Sequence, residues 1–240
     1  MSEHDITERS SLETIIVRSK TKKFCKNNQV SIIGTLKEEF KLSHTTTGGS
    51  EFYQSVVAVS RPDGTEDSIQ IMGSKSFLEK ILDLKLKGRC VIIKGRMLSY
   101  LLFKRKDTKG NRLKLSVYLD YIQICNEFTA FNHNNYIYLE GTVCKSPVYR
   151  LVENDQEFTD LFITVQRNQE TKDYIPCIAV RWLAITTREL EVGDKISLKG
   201  KIQSRKYLKI SEDGSNTVET RVVQEVLILD IVEIEKKSKE

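Results

Sequence analysis

The chain has 240 residues, of which 39% are hydrophobic and 30% charged, with a net charge of +5. That length suits one large or two small domains, and the composition is that of a soluble globular protein. No apolar run exceeds four residues, which leaves nothing able to span a bilayer as a helix.

Glu3, Asp5 and Glu8 make the first residues polar, unlike a secretory signal. The five cysteines, at 25, 90, 125, 144 and 177, are odd in number, far apart in sequence and form no C-x-x-C pair. Neither a zinc site nor a disulfide framework is expected. Cys90 and Cys177 read as small core fillers inside apolar strands, and the expected setting is the reducing cytoplasm. No metal or other cofactor is expected.

Taken in order, residues 1–28 read as a mobile arm with a short strand or helical turn at 12–18. Val30–Leu36 reads as a strand, Thr45–Ser50 as a loop and Phe52–Arg61 as a strand. Pro62-Asp63-Gly64 is a turn, and Ser68–Met72 is a strand. Ser74 is placed to cap a helix that carries Phe77, Leu78, Ile81 and Leu82 on one face and ends at Gly88. Cys90–Leu98 and Leu113–Ile124 are strands, separated by a charged loop around Gly110-Asn111. An Asn-rich linker covers 126–134.

The second half repeats this order. Gly34 and Gly141 are 107 apart. Phe52 and Phe158, Arg61 and Arg167, and Asp67 and Asp173 are each 106 apart, and Gly88 and Gly193, and Gly95 and Gly200, are each 105 apart. Six landmarks in order, drifting only in loops, indicate a tandem duplication. Each unit has five short strands with a helix between the third and fourth. That is the pattern of the OB-fold, a small Greek-key barrel. The fold class is therefore all-β with short helices: two tandem five-stranded OB barrels, at 29–125 and 135–235, followed by a short charged tail at 236–240.

Lys195 to Tyr207 alternates. Ile196, Leu198 and Ile202 lie on one parity, and Lys195, Lys199, Lys201, Gln203, Arg205 and Tyr207 on the other. One face is apolar; the other is basic and ends in a ring, which suits a polyanion with unstacked bases as well as it suits solvent. V-G-D-x-I-x-x-x-G-x-I-Q-S-R-x-Y and the preceding D-Y-I-P-C-I-A resemble the bacterial single-stranded DNA-binding protein family. So do N-N-Y-I-Y-L-E-G (134–141), F-T-D-L-F-I-T-V-Q-R (158–167) and R-V-V-Q-E-V (221–226).

The resemblance implies single-stranded DNA as the partner, bound regardless of sequence, with roles in replication, repair and recombination. It places stacking aromatics at Tyr174 and Tyr207. Val180 stands where the family commonly has another aromatic; Trp182, two residues on, either substitutes for it or belongs to a core or interface. Phosphates would meet Arg167, Lys172, Arg181, Lys199, Lys201, Arg205 and Lys206. In the first unit Ser68 and Leu102 replace the two tyrosines, but Arg96, Tyr100, Phe103, Lys104, Arg105 and Arg112 crowd the fourth strand and the loop after it. Four OB-folds are common in this family, so a homodimer is expected. Many members of the family carry an acidic tail that recruits repair and replication enzymes; with E-I-E-K-K-S-K-E as the last residues here, recruitment by that route is not expected.

No catalytic constellation is present. His4, His44 and His133 fall in the arm, a loop and the linker, and Glu38-Glu39 and Glu189 with Glu191 read as solvated charge. No P-loop, nucleophile elbow or H-E-x-x-H occurs. A binding module is expected, not an enzyme. The alternatives are a primosome-type or inhibitory OB adaptor for proteins, and an RNA-binding OB protein.

Overall fold

The computed structural model describes residues 14–19, 26–102, 112–125, 135–210 and 218–238. The first unit contains β1 (Ile15–Arg18), β2 (Asn28–Leu36), β3 (Lys41–Thr45), β4 (Glu51–Ser60), β5 (Glu66–Ser74), α1 (Lys75–Leu78), β6 (Cys90–Leu102) and β7 (Arg112–Cys125). The second contains β8 (Asn135–Val152), β9 (Gln156–Gln166), β10 (Lys172–Val180), α2 (Trp182–Arg188), β11 (Lys195–Ile210) and β12 (Val218–Glu235).

Each unit closes on itself. In the first, β2 pairs with β4, β4 with β5, β5 with β7 in parallel, β7 with β6, and β6 with β2. In the second, β8 pairs with β9, β9 with β10, β10 with β12 in parallel, β12 with β11, and β11 with β8. A single parallel contact inside an otherwise antiparallel ring of five is the OB barrel. Inward parity supplies the cores: Ile32, Val57, Ile69, Ile71, Val91 and Ile93 in one, and Ile137, Leu161, Ile163, Ile175, Ile196 and Leu198 in the other.

The shared glycines have a steric cause. A Cβ at Gly95 would lie 2.0 Å from Tyr118 O, and one at Gly200 would lie 2.4 Å from Leu227 O. Both glycines adjoin a register shift in the ladder, where strands cross too closely for a side chain. An asparagine clamp recurs too, buried in the first unit and half-buried in the second. Asn28 Nδ2 donates to Met97 O, and Met97 N donates back to Asn28 Oδ1; Asn135 does the same with Ile202.

The short strand allowed at 12–18 is β1, which pairs with β7 and buries Val17. Two local expectations change. β3, unforeseen, folds back onto β4. The first helix is one turn long. Ser74 Oγ caps it, accepting from Phe77 N, but Ile81 and Leu82 follow in turns, both donating to Leu78 O. The carboxylate of Glu39 accepts from the amides of Leu86 and Lys87, which holds this segment out of helical register. Glu39 is therefore structural rather than merely solvated.

The barrels join through β2 and β8, which pair antiparallel from Asn28↔Leu139 to Ile32↔Asn135. A reciprocal clasp reinforces this seam. Arg61 and Asp67 of the first unit bind Ser204 of the second, while Arg167 and Asp173 of the second bind Ser99 of the first. Asp67 and Asp173 are both almost fully buried. Cys90 and Cys125, distant in sequence, are direct partners across β6 and β7. Both are buried free thiols, and burial, together with Cys125 alongside, pushes the Cys90 thiol up.

Candidate nucleic-acid interface

On β9 and β10 the buried residues alternate with a face turned outward. Pairing sets that face in rows, Tyr174 opposite Thr164, Pro176 opposite Phe162 and Val180 opposite Phe158, with a buried Ile178 opposite Asp160 between them. β8 extends the rows, placing Lys145 beside Phe162 and Arg150 beside Phe158. Tyr174 is 47% exposed. Lys145 Nζ lies 4.6 Å from the Phe162 ring centroid, within cation–π range. Arg150 pairs with Asp160 at 2.7 Å. Three aromatics thus share one sheet with flanking cations. Phe158 and Phe162 are additions to the site expected from sequence; the signal was there in the alternation with Leu161, Ile163 and Val165.

The other expected residues disperse. Lys172 is exposed at the start of β10. The guanidinium of Arg167 is already committed: Nε donates to Asp173 Oδ2 at 2.9 Å and Nη2 to Ser99 O at 3.1 Å. It belongs to the seam, which corrects its assignment to phosphate. Arg181 has φ +56° and precedes α2. This left-handed residue ends strand parity, so Trp182 stands as the first helical residue, 61% exposed, and not in the core.

β11 does present its basic parity outward, but β12 answers it with acids. Lys195 pairs with Glu235 at 3.0 Å, and Lys199 with Asp230 and Arg205 with Glu225 at 3.6 Å. The strand read alone is basic; the two-stranded surface is largely balanced. Lys201 also lies on this parity, half-buried. The backbones of Lys206 and Tyr207 continue β11, with Tyr207 opposite Arg221, while their side chains lie outside the described ones.

In the first unit, Arg96 pairs with Asp120 at 3.2 Å and lies 5.3 Å from the Tyr118 ring centroid. Tyr100 is half-buried, and burial raises its phenol above the usual value. Phe103, Lys104 and Arg105 lie outside the described residues, as does the side chain of Arg112. Phe52 occupies the position equivalent to Phe158, but His44 stacks flat on it, 5.0 Å between centroids and 7° between planes.

Between the barrels runs a groove of about 680 Å3, lined by Val56 and Gln70 of the first unit and Phe162, Pro176, Arg205 and Gln224 of the second. Among the described residues, no group of three or more His, Cys, Asp or Glu could hold a metal ion.

Comparison with known proteins adds to this geometry. Residues 134–230 match the model of the single-strand binding protein family. The wild-type single-stranded DNA binding protein from Thermus aquaticus superposes with a TM-score of 0.65 at 21% identity, over 89% of this chain and 94% of that one. A deletion mutant of the same protein gives 0.63 at 20% identity, over 89% and 95%. Comparison with curated proteins gives no match. The second barrel is therefore similar to the single-strand binding protein family over residues 134–230, and the whole chain shares the fold of the Thermus aquaticus structures.

Proposed function

We propose that this chain binds single-stranded DNA with little regard for sequence, protecting strands exposed in replication, repair and recombination. The observation that carries this is the β8–β9–β10 face, where Tyr174, Phe162 and Phe158 lie on one sheet beside Lys145 and Arg150, on the unit that matches the family. Stacking on such rings is worth roughly 1–3 kcal/mol per base and tolerates any base. Lys145, Lys172 and Lys201 supply cations for the backbone, and no covalent chemistry is required. Two chains, giving four barrels, would form the working assembly.

The test is titration with oligo-dT at two salt concentrations, against duplex DNA and oligo-U, reading Trp182 fluorescence and anisotropy. Tight, salt-weakened, single-strand-selective binding is the expected result. Quenching would place Trp182 near the strand; anisotropy without quenching would place it away. Equal affinity for oligo-U would favour an RNA-binding protein. Absence of binding at low salt would leave a protein-binding adaptor. Sedimentation at micromolar concentration checks the dimer.

A further inference from the structure

We infer that Ser99, a residue of the first barrel, is a positioning residue for Tyr174 of the second, so that the first unit sets the stiffness of the second unit's stacking face. The inference rests on the DNA-binding reading above.

β10 is held by β9 on one side, but on the other, among the described residues, it meets β12 only at Cys177 and Ile178. At Tyr174 that ladder is missing, and Ser99 takes its place. Tyr174 N donates to Ser99 Oγ at 2.7 Å. Ser99 N donates to Asp173 Oδ1 at 2.6 Å, and Arg167 Nη2 donates to Ser99 O at 3.1 Å. Every backbone polar group of Ser99, and its hydroxyl, is thereby engaged by the residues around one exposed ring. A platform that stacks a base loses affinity if its backbone must be ordered on binding, and these bonds order it beforehand.

The duplication supplies a control. In the mirror clasp, Ser68 N donates to Ser204 Oγ at 2.8 Å and Ser204 N donates to Asp67 Oδ1 at 2.6 Å. Its geometry is the same, but the residue held is Ser68, which carries no ring. Ser99→Ala and Ser204→Ala therefore remove equivalent bonds with unequal consequences for the ligand.

The experiment measures oligo-dT affinity and thermal stability of the full chain for both variants. Both should lose similar stability. Ser99→Ala should weaken binding about 3–10-fold, the size of one lost hydrogen bond, and Ser204→Ala less than about twofold. In a Tyr174→Ala background, Ser99→Ala should add less than about twofold, since there is no ring left to position. If Ser99→Ala does not fold, Ser99→Cys, with a far weaker acceptor in the same space, replaces it. Equal weakening by both serine variants, unchanged affinity in Ser99→Ala, or an undiminished effect in the Tyr174→Ala background overturns the inference alone. No binding by the unmodified protein overturns the DNA-binding reading and this one with it.

Discussion

The two barrels share a backbone but not a surface. Tyr174, Pro176, Phe162 and Phe158 of the second unit correspond to Ser68, Gln70, Val56 and Phe52 of the first, each 106 residues earlier. Gln70 and Gln54 hydrogen-bond to each other across the first face, and His44 covers Phe52. The edges differ as well. β1 lies along β7. β12 instead carries two register shifts, which leave Leu229 and Val232 without opposing residues and exposed. Bulges of this kind blunt an edge against further pairing. Residues that close the barrels or clasp them together recur in both copies, while the outward residues of this face, Phe52 and Phe158 apart, differ. Closure is decided by backbone geometry, which tolerates little; the outer face is decided by what it meets.

The largest effect should come from the clasp, where the units are alike. Arg61→Ala and Arg167→Ala each strand a buried aspartate, and each should cost about 3 kcal/mol in chemical denaturation. Similar losses would establish the symmetry; a much smaller loss at one would show that the clasps are unequal. Next comes the face, where the units differ. Tyr174→Ala combined with Phe162→Ala should weaken oligo-dT binding well over tenfold, at about 1–3 kcal/mol per base. The matching pair in the first unit, Ser68→Ala with Val56→Ala, should change it less than about threefold. Equal losses would mean that both barrels carry the strand alike.

A third contrast is in acid sensitivity. Burial alone would raise the Asp194 carboxyl, but amide hydrogen bonds from Glu191 and Lys237 and the ammonium of Lys236 outweigh it and hold it at about 2. A folded value below the unfolded one, near 3.8, gives stability that is fully present above pH 4 or so and is lost as pH falls toward 2. The equivalent position in the first unit is Arg89. Asp194→Asn should remove this part of the acid loss, measured as the difference in denaturation midpoint between pH 4.5 and pH 2.5. A profile unchanged by the substitution would exclude Asp194 as its source. The smallest effect belongs to the edge. Leu229→Ser, at a residue 55% exposed, should change stability by no more than about 0.5 kcal/mol, whereas a serine at buried Val17 on β1 should cost clearly more.

Much of the fold was legible in the chain. Gly34, Gly88 and Gly95 recur as Gly141, Gly193 and Gly200 because the same crossings and turns recur: Gly88 and Gly193 have φ of +83° and +104°. The family resemblance points to Tyr174 on the third strand of the second unit, and that residue is 47% exposed there. The balance of charge on β11 is not legible in its own sequence, because Asp230 reaches Lys199 past one register shift and Glu235 reaches Lys195 past two. The sequence leaves Trp182 between a stacking role and a core or interface role because a left-handed Arg181 leaves no trace in composition. Arg167 was offered to phosphate because its other partner, Ser99, lies 68 residues away.

Periodicity, turn chemistry and the internal repeat determined by themselves that there are two similar β-rich units, which residues face inward, and where the chain must bend. These are local demands on parity and dihedral angles, and each residue carries its own. Only the tertiary structure decided which cations remain available, which aromatics share a face, and that one barrel's serine holds the other barrel's tyrosine. Those depend on distances between segments far apart in the chain, set by strand register and by the seam between β2 and β8, and no local pattern encodes them.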